Sequence, residues 1–208
     1  MITIISPAKS VNFEDPAPTD SFSLPDHLSQ SKKLIRYLKR YKKPQLMELM
    51  SLSEKLAELN ISRYKAFNPP FQLDNAKQAL YAFTGDVYRH MRVNTYDAET
   101  LEFAQSHLRI LSGLYGYLRP LDLIQPYRLE MKTRLATDRG ADLYRFWGNR
   151  ISNALNKDLR LAPTPVLVNL ASKEYARVVN FKAIKAQVIH IDFKEEEQGK
   201  LKIIAIFA

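Results

Sequence analysis

Short apolar runs, separated by longer segments with helical spacing, constrain the fold of this 208-residue chain more than any other feature. Runs of this length bounded by proline or polar residues are typical of buried β-strands. The strand-like runs are residues 1–5, 110–111, 129–131, 165–170, 188–193 and 201–206. We predict that the last two runs form a β-hairpin that turns near Glu197-Gln198-Gly199.

Apolar residues at helical spacing fill much of the sequence between these runs. The pattern predicts helices over residues 29–41, after Ser53, over residues 76–81, from a cap at Asp97 or Thr95 to residue 108, and over about residues 141–159, with Trp147 in the core. Helices and strands thus share one chain, without a repeat or a linker between domains. We therefore predict an α+β fold, a single domain over residues 1–208 with a mixed β-sheet flanked by helices.

The absence of cysteine excludes several kinds of chemistry. These residues offer no disulfide framework, thiolate zinc site, iron–sulfur cluster or cysteine nucleophile, and a reducing cytoplasm is the expected location. No apolar run reaches the roughly 18–20 residues that a membrane-spanning helix needs, so we expect no membrane partner.

Basic residues outnumber acidic ones by 31 to 22, which gives a formal charge of +9 and favours anionic partners. The excess is concentrated between residues 32 and 43, where no acid interrupts the basic side chains Lys32, Lys33, Arg36, Lys39, Arg40, Lys42 and Lys43. Such a segment is either a nucleic-acid surface or the solvated side of an amphipathic helix, and the sequence favours the two equally.

The densest group of candidate functional residues lies between His107 and Met131. Gly113 and Gly116 are two of only six glycines, and they flank Leu114-Tyr115 as in a tight turn. Such a turn can aim backbone N–H groups at a phosphate, with charge from the neighbouring arginines. It can also serve only to reverse the chain, and the spacing of the two glycines alone slightly favours this second role.

Five segments, in order, resemble the YaaA family of bacterial peroxide-stress proteins. They are Ser6-Pro7-Ala8-Lys9, Phe83-Thr84-Gly85-Asp86-Val87-Tyr88, residues 107–122 with 126–131, Leu143-Tyr144-Arg145-Phe146-Trp147-Gly148, and Asn169-Leu170-Ala171-Ser172-Lys173-Glu174-Tyr175. The resemblance implies a bacterial cytoplasmic protein that limits iron-dependent oxidative damage under hydrogen peroxide.

The same resemblance implies binding to DNA, duplex or branched and without sequence preference, through a basic cleft and a helix-hairpin-helix-like element near residues 107–122. This sequence has one residue more than the usual Gly-apolar-Gly hairpin. The residues expected to contact DNA are Lys9, Arg109, Gly113, Leu114, Tyr115, Gly116, Arg119, Arg128 and Lys132. Unpaired bases could stack on Tyr115, Tyr117 or Tyr127, although core packing is the commoner role of such side chains.

An enzyme acting on a nucleotide or other small anion is the alternative. Its pocket would lie around Lys9, Asp86 and Arg128, with Ser6, Tyr88, Tyr127 and Glu130 nearby. Asp86 or Glu130 could serve as a general base, whereas Asp86 could simply cap a helix over residues 87–91. We assign no catalytic residue.

The four histidines are scattered, and His190 with Asp192 is at best a weak ligand pair, so we expect no metal and no cofactor. The chain ends within strand-like sequence at Ile206-Phe207-Ala208, whereas YaaA-like chains continue with a basic segment. We therefore expect that a C-terminal segment is missing.

Overall fold

The computed structural model describes the backbone of residues 1–191, 194–197 and 200–203, and side chains through Ile191. The strands are β1 (Ile2–Ile5), β2 (Lys77–Gln78), β3 (Leu108–Ser112), β4 (Gly116–Leu118), β5 (Leu123–Ile124), β6 (Val166–Asn169), β7 (Gln187–His190), β8 (Lys194–Glu197) and β9 (Lys200–Ile203). Within the described residues, the main sheet has the strand order β4-β3-β1-β6-β7. The strands β3, β1, β6 and β7 run parallel and β4 is antiparallel, which confirms the mixed sheet.

Helices pack on this sheet. They are α1 (Leu28–Leu38), α2 (Lys43–Met50), α3 (Glu54–Ala66), α4 (Ala79–Ala82), α5 (Asp86–Met91), α6 (Ala98–His107), α7 (Leu143–Trp147), α8 (Arg150–Leu161) and α9 (Lys173–Ala176). Two predicted caps are confirmed, because Ser53 accepts a hydrogen bond from the Leu56 N–H and Asp97 accepts one from the Thr100 N–H. No helix in the described part of the chain is long and apolar enough to cross a bilayer.

The strand order creates a crevice beside β1. The chain first builds β3 and β4 on one side of β1 and then crosses to build β6 and β7 on the other. Loops that follow β1 and β6 therefore leave the sheet in opposite directions. At such a reversal, open α/β sheets bind ligands beyond the carboxyl ends of their strands.

A β-hairpin occupies the segment in which a helix-hairpin-helix-like element was expected, and that expectation is not confirmed. The helix α6 ends at His107, and β3 pairs with β4 with Ser112 opposite Gly116. The turn is buried, since Leu114 and Tyr115 have no exposed surface. The Trp147 indole covers it, and its Nε1 donates to the Gly113 carbonyl at 3.0 Å.

Other local predictions were wrong in part. The helix expected over residues 141–159 is two helices, α7 and α8, because Gly148 takes a φ of +52° between them. Residues 76–81 begin as β2 before α4, and residues 129–131 belong to no strand. The run from residue 188 forms β7 and pairs with β6, so it is not half of a hairpin.

The strands β8 and β9 do pair antiparallel with each other. Gln198, Gly199 and Asp192, on which the predicted turn and the predicted His190–Asp192 pair depended, lie outside the described residues.

The lack of a side chain at Gly113 lets the backbone of Leu129 and Glu130 pass close to the turn between β3 and β4. A Cβ at this position would lie 2.2 Å from the Leu129 carbonyl oxygen, a backbone atom that cannot move aside alone. We expect Gly113→Ala to lower the free energy of unfolding by about 1–3 kcal/mol, because the added methyl group overpacks this contact. Urea unfolding measures this, and an unchanged midpoint would show that the two segments are not in close contact.

His27 predicts how stability depends on pH. Its half-buried imidazole packs against Tyr117 and Trp147, and burial lowers the pKa of His27 below 6.5. The unfolded chain then takes up the proton on this imidazole at a higher pH than the folded chain does. Protonation of His27 therefore costs no stability above about pH 6.5, and the free energy of unfolding falls as the pH drops below that value.

The comparison is urea unfolding at pH 7.5 and pH 5.0 for the wild type and His27→Leu. We expect the variant to lose less stability on acidification. His90→Gln, which changes an exposed histidine, is the control. An equal loss in wild type and His27→Leu would contradict the prediction.

Candidate functional site: a cationic cleft

Loops from distant parts of the sequence meet at the carboxyl edge of the sheet. Ser6, after β1, and Ser172, after β6, face each other: the Ser6 Oγ donates to the Ser172 Oγ at 3.1 Å and accepts from the Ser172 N–H at 2.9 Å. The loop before α5 packs on the loop after β1, because a Cβ on Gly85 would lie 2.8 Å from the Ala8 Cβ. The crevice beside β1 is therefore bordered by three of the five segments that resemble the family.

Residues 127–135 alternate strictly between the core and the surface, and we call them the alternating segment. Every second side chain is buried, namely Tyr127, Leu129, Met131, Thr133 and Leu135. The side chains between them point outward, namely Arg128, Glu130, Lys132 and Arg134. Burial of one set thus turns the other, charged set away from the core on a common side, where Lys132 and Arg134 are exposed and Arg128 and Glu130 are partly buried.

These charged side chains form one wall of a cleft of about 700 Å³. Lys9 joins them from the loop after β1, so the wall carries the cations Lys9, Arg128, Lys132 and Arg134. The opposite wall is α2 with the residues beside it, and it contributes Tyr41, Gln45, Glu48, Leu49, Met50 and Ser51. We call this the cationic cleft.

One carboxylate holds three of the four cations together. The Glu130 Oε1 lies 2.8 Å from a terminal nitrogen of Arg128 and 3.7 Å from the Lys9 Nζ, and its Oε2 lies 3.5 Å from the Lys132 Nζ. Glu130 is only 14% exposed, whereas Lys9 and Lys132 are 66% and 64% exposed. Both lysines therefore keep exposed surface that an anion can reach, although Lys132 also pairs with Glu174, whose Oε2 lies 3.8 Å from the Lys132 Nζ.

Arg128 is fixed more firmly than the lysines. Its backbone carbonyl accepts a hydrogen bond from the buried Tyr64 hydroxyl, and its side chain is 21% exposed. The Nε of Arg128 is buried and has no hydrogen-bond partner among the described residues. Because this nitrogen is closed off from solvent, a phosphate could reach the guanidinium only through the exposed part of the side chain.

Buried phenols support the site from beneath. The Tyr88 hydroxyl donates to the Ser6 carbonyl at 2.9 Å, and the Tyr127 hydroxyl lies 2.6 Å from the Ser112 Oγ. Burial raises the pKa of Tyr88 and of Tyr127 above 10. Both phenols therefore stay neutral at physiological pH and act as fixed hydrogen-bonding groups under the loops.

The structure brings together some of the residues predicted from sequence. Lys9, Arg128, Lys132 and Glu130 line the cationic cleft. Ser6, Tyr88 and Tyr127 do not line it, since Tyr88 is hydrogen-bonded to the Ser6 carbonyl and Tyr127 to Ser112, and Trp147 is in the core as predicted.

Other predicted DNA-contact residues lie elsewhere. The turn residues Gly113, Leu114, Tyr115 and Gly116 are buried under Trp147. Arg109 is 6% exposed, and its Nε donates to the Asp158 Oδ2 at 2.7 Å, which ties β3 to α8. Arg119 holds Asp122 and Asp26. These side chains are occupied in stabilising the fold.

The pocket expected around Lys9, Asp86 and Arg128 is not assembled in that form. Asp86 is the first residue of α5, with Gly85 at the cap position, and it forms an ion pair with Arg89. It does not line the cationic cleft. Among the residues that the structure describes, no three His, Asp or Glu side chains converge as they would around a metal ion.

Sequence reasoning missed Arg134 and Tyr41, which both line the cleft. The two-residue alternation of charged and apolar side chains over residues 127–135 would have found Arg134. Tyr41 carried no such signal, since its position depends on how α2 packs across from the alternating segment.

Comparison with known proteins assigns the family. The protein-family model described as peroxide stress protein YaaA matches residues 1–208. A protein of Shewanella amazonensis described as a UPF0246 protein is 49% identical over 208 residues, which are all of this chain and 81% of that relative. The chain therefore belongs to the YaaA family of peroxide stress proteins, which supports a role in the response to peroxide stress.

Proposed function

We propose that the cationic cleft binds the phosphate backbone of DNA without reading its sequence. The observation that carries this proposal is the convergence of Lys9, Arg128, Lys132 and Arg134 on one wall. Lysines and arginines that meet phosphates supply affinity, because they displace the counterions condensed on DNA. Phosphate contacts alone carry no sequence information, so duplex and branched DNA are both candidate partners.

The basic segment of residues 32–43 contributes Tyr41 to the lining of the cleft. Lys32, Arg36, Lys39 and Arg40 are exposed, because Leu34, Ile35 and Leu38 bury the other side of α1. Tyr41, which lines the cleft, follows directly in the chain. A DNA strand that leaves the cleft on this side would therefore meet further cations.

The geometry favours binding over catalysis as the activity of this cleft. Glu130, the acid nearest the cations, forms ion pairs with three of them, so its carboxylate oxygens are already occupied. We propose that DNA held by such a protein in the cytoplasm is shielded from oxidative damage during peroxide stress.

Salt dependence tests the proposal. We expect the double variant Lys9→Gln/Lys132→Gln to weaken duplex binding and to reduce the slope of log K against log salt concentration by about 1.8, or about 0.9 for each lost phosphate contact. Fluorescence anisotropy at several salt concentrations gives the slope. Lys55→Gln/Lys65→Gln removes the same charge from exposed positions on α3 and is the control. Binding that is absent, or insensitive to both salt and the cleft substitutions, rules the proposal out.

Glu130 sets the strength of the site. Because its carboxylate competes with phosphate for three cations, we expect Glu130→Gln to tighten DNA binding at low salt by about two- to fivefold. Glu48→Gln removes an acid from the opposite wall, and we expect a smaller gain from it. Weaker binding by Glu130→Gln would mean that the carboxylate aligns the cations and does not compete for them.

A further inference from the structure

We propose that the cationic cleft accepts an unpaired nucleotide of single-stranded DNA, with the phosphate on the cationic wall and the base against Tyr41 on the opposite wall. This inference rests on the proposed function and names the form of DNA that the cleft itself takes. Its starting point is that the two walls differ in chemistry while facing the same space.

The wall formed by α2 and its neighbours suits a base. Tyr41, Leu49 and Met50 offer an aromatic ring and apolar side chains, all half-buried, and Gln45 offers an amide. Proteins that bind single strands combine a positively charged groove with aromatic side chains on which bases stack. The same wall also carries Glu48 and Ser51, so the part of it that suits a base is the group Tyr41, Leu49 and Met50.

Five other tyrosines have rings that are buried or that lie against a guanidinium group. Tyr115, Tyr117 and Tyr127 are buried in the core. The rings of Tyr37 and Tyr144 are covered by the guanidinium groups of Arg40 and Arg177, at 5.2 Å and 4.6 Å. Tyr41 is the aromatic side chain that lines the cationic cleft.

The size of the cleft admits no duplex, whose backbone would instead meet the exposed Lys9 and Lys132 from outside the cleft. A volume of about 700 Å³ falls within the range of about 300–1,000 Å³ that is usual for small-ligand sites. In a duplex the bases are stacked on each other, and only their edges reach the grooves, so their faces cannot meet Tyr41. An unpaired nucleotide exposes its base face and its phosphate together.

An abasic strand gives the sharpest test, because it keeps the phosphates and removes the bases. We expect the wild-type protein to bind a thymidine oligonucleotide about 5- to 100-fold more tightly than an abasic oligonucleotide of the same length, by fluorescence anisotropy at fixed salt. The experiment uses the unaltered chain, so the folding of a variant does not enter into it.

Substitution of Tyr41 locates the effect. Tyr41→Ala should remove most of the preference for the thymidine strand, while Tyr41→Phe, which keeps the ring, should retain it. Phe103→Ala is the matched control, since Phe103 is an exposed aromatic residue on α6 outside the cleft. Duplex binding, which depends on the cations, should change less than about twofold in all three variants.

The outcomes separate this inference from the proposed function. Equal affinity of the wild type for thymidine and abasic strands overturns the inference, as does a preference that survives Tyr41→Ala. If duplex binding still depends on Lys9 and Lys132 in either case, the proposed function stands without it. If no oligonucleotide binds, both proposals fail.

Discussion

The contact between Gly113 and the backbone of Leu129 positions the whole site. With no side chain at residue 113, the alternating segment lies directly on the turn between β3 and β4, and Trp147 closes that turn from another direction. This placement buries the apolar half of residues 127–135, which leaves Arg128, Glu130, Lys132 and Arg134 on one side. A charged wall thus results from core packing, since each buried side chain fixes the direction of its neighbours.

Charge balance explains how the wall holds its shape. Like charges so close together would repel, and Glu130 offsets that repulsion from the centre of the group. Its low exposure makes the interaction with Arg128 less screened than a surface ion pair, whereas the lysines keep much of their hydration. The arrangement therefore has a partly buried centre at Arg128 and Glu130, with the exposed charges of Lys9 and Lys132 around it.

Sequence patterns predicted what local chemistry decides. The apolar runs gave the positions of β1, β6 and β7, and capping chemistry gave the starts of α3 and α6. The predictions that failed concerned residues whose environment depends on side chains distant in the sequence. Arg109 is buried because Asp158, 49 residues away, pairs with it. The glycine pair looks the same in sequence whether its turn faces solvent or lies under a tryptophan. Cleft residues from the loop after β1 and the alternating segment were identified together only because both belong to motifs of one family.

The proposed binding offers a physical route from DNA contact to peroxide resistance. These residues hold no cysteine, so they cannot reduce peroxide through a thiolate. Cations of a protein that neutralise phosphates instead release the ions condensed on DNA, and metal ions are among those displaced. If iron is among the displaced ions, radicals formed from iron and peroxide arise farther from the bases and damage them less. Because unpaired bases lack the shelter of a duplex, a cleft that also covers a base face would protect the strand where it is most accessible.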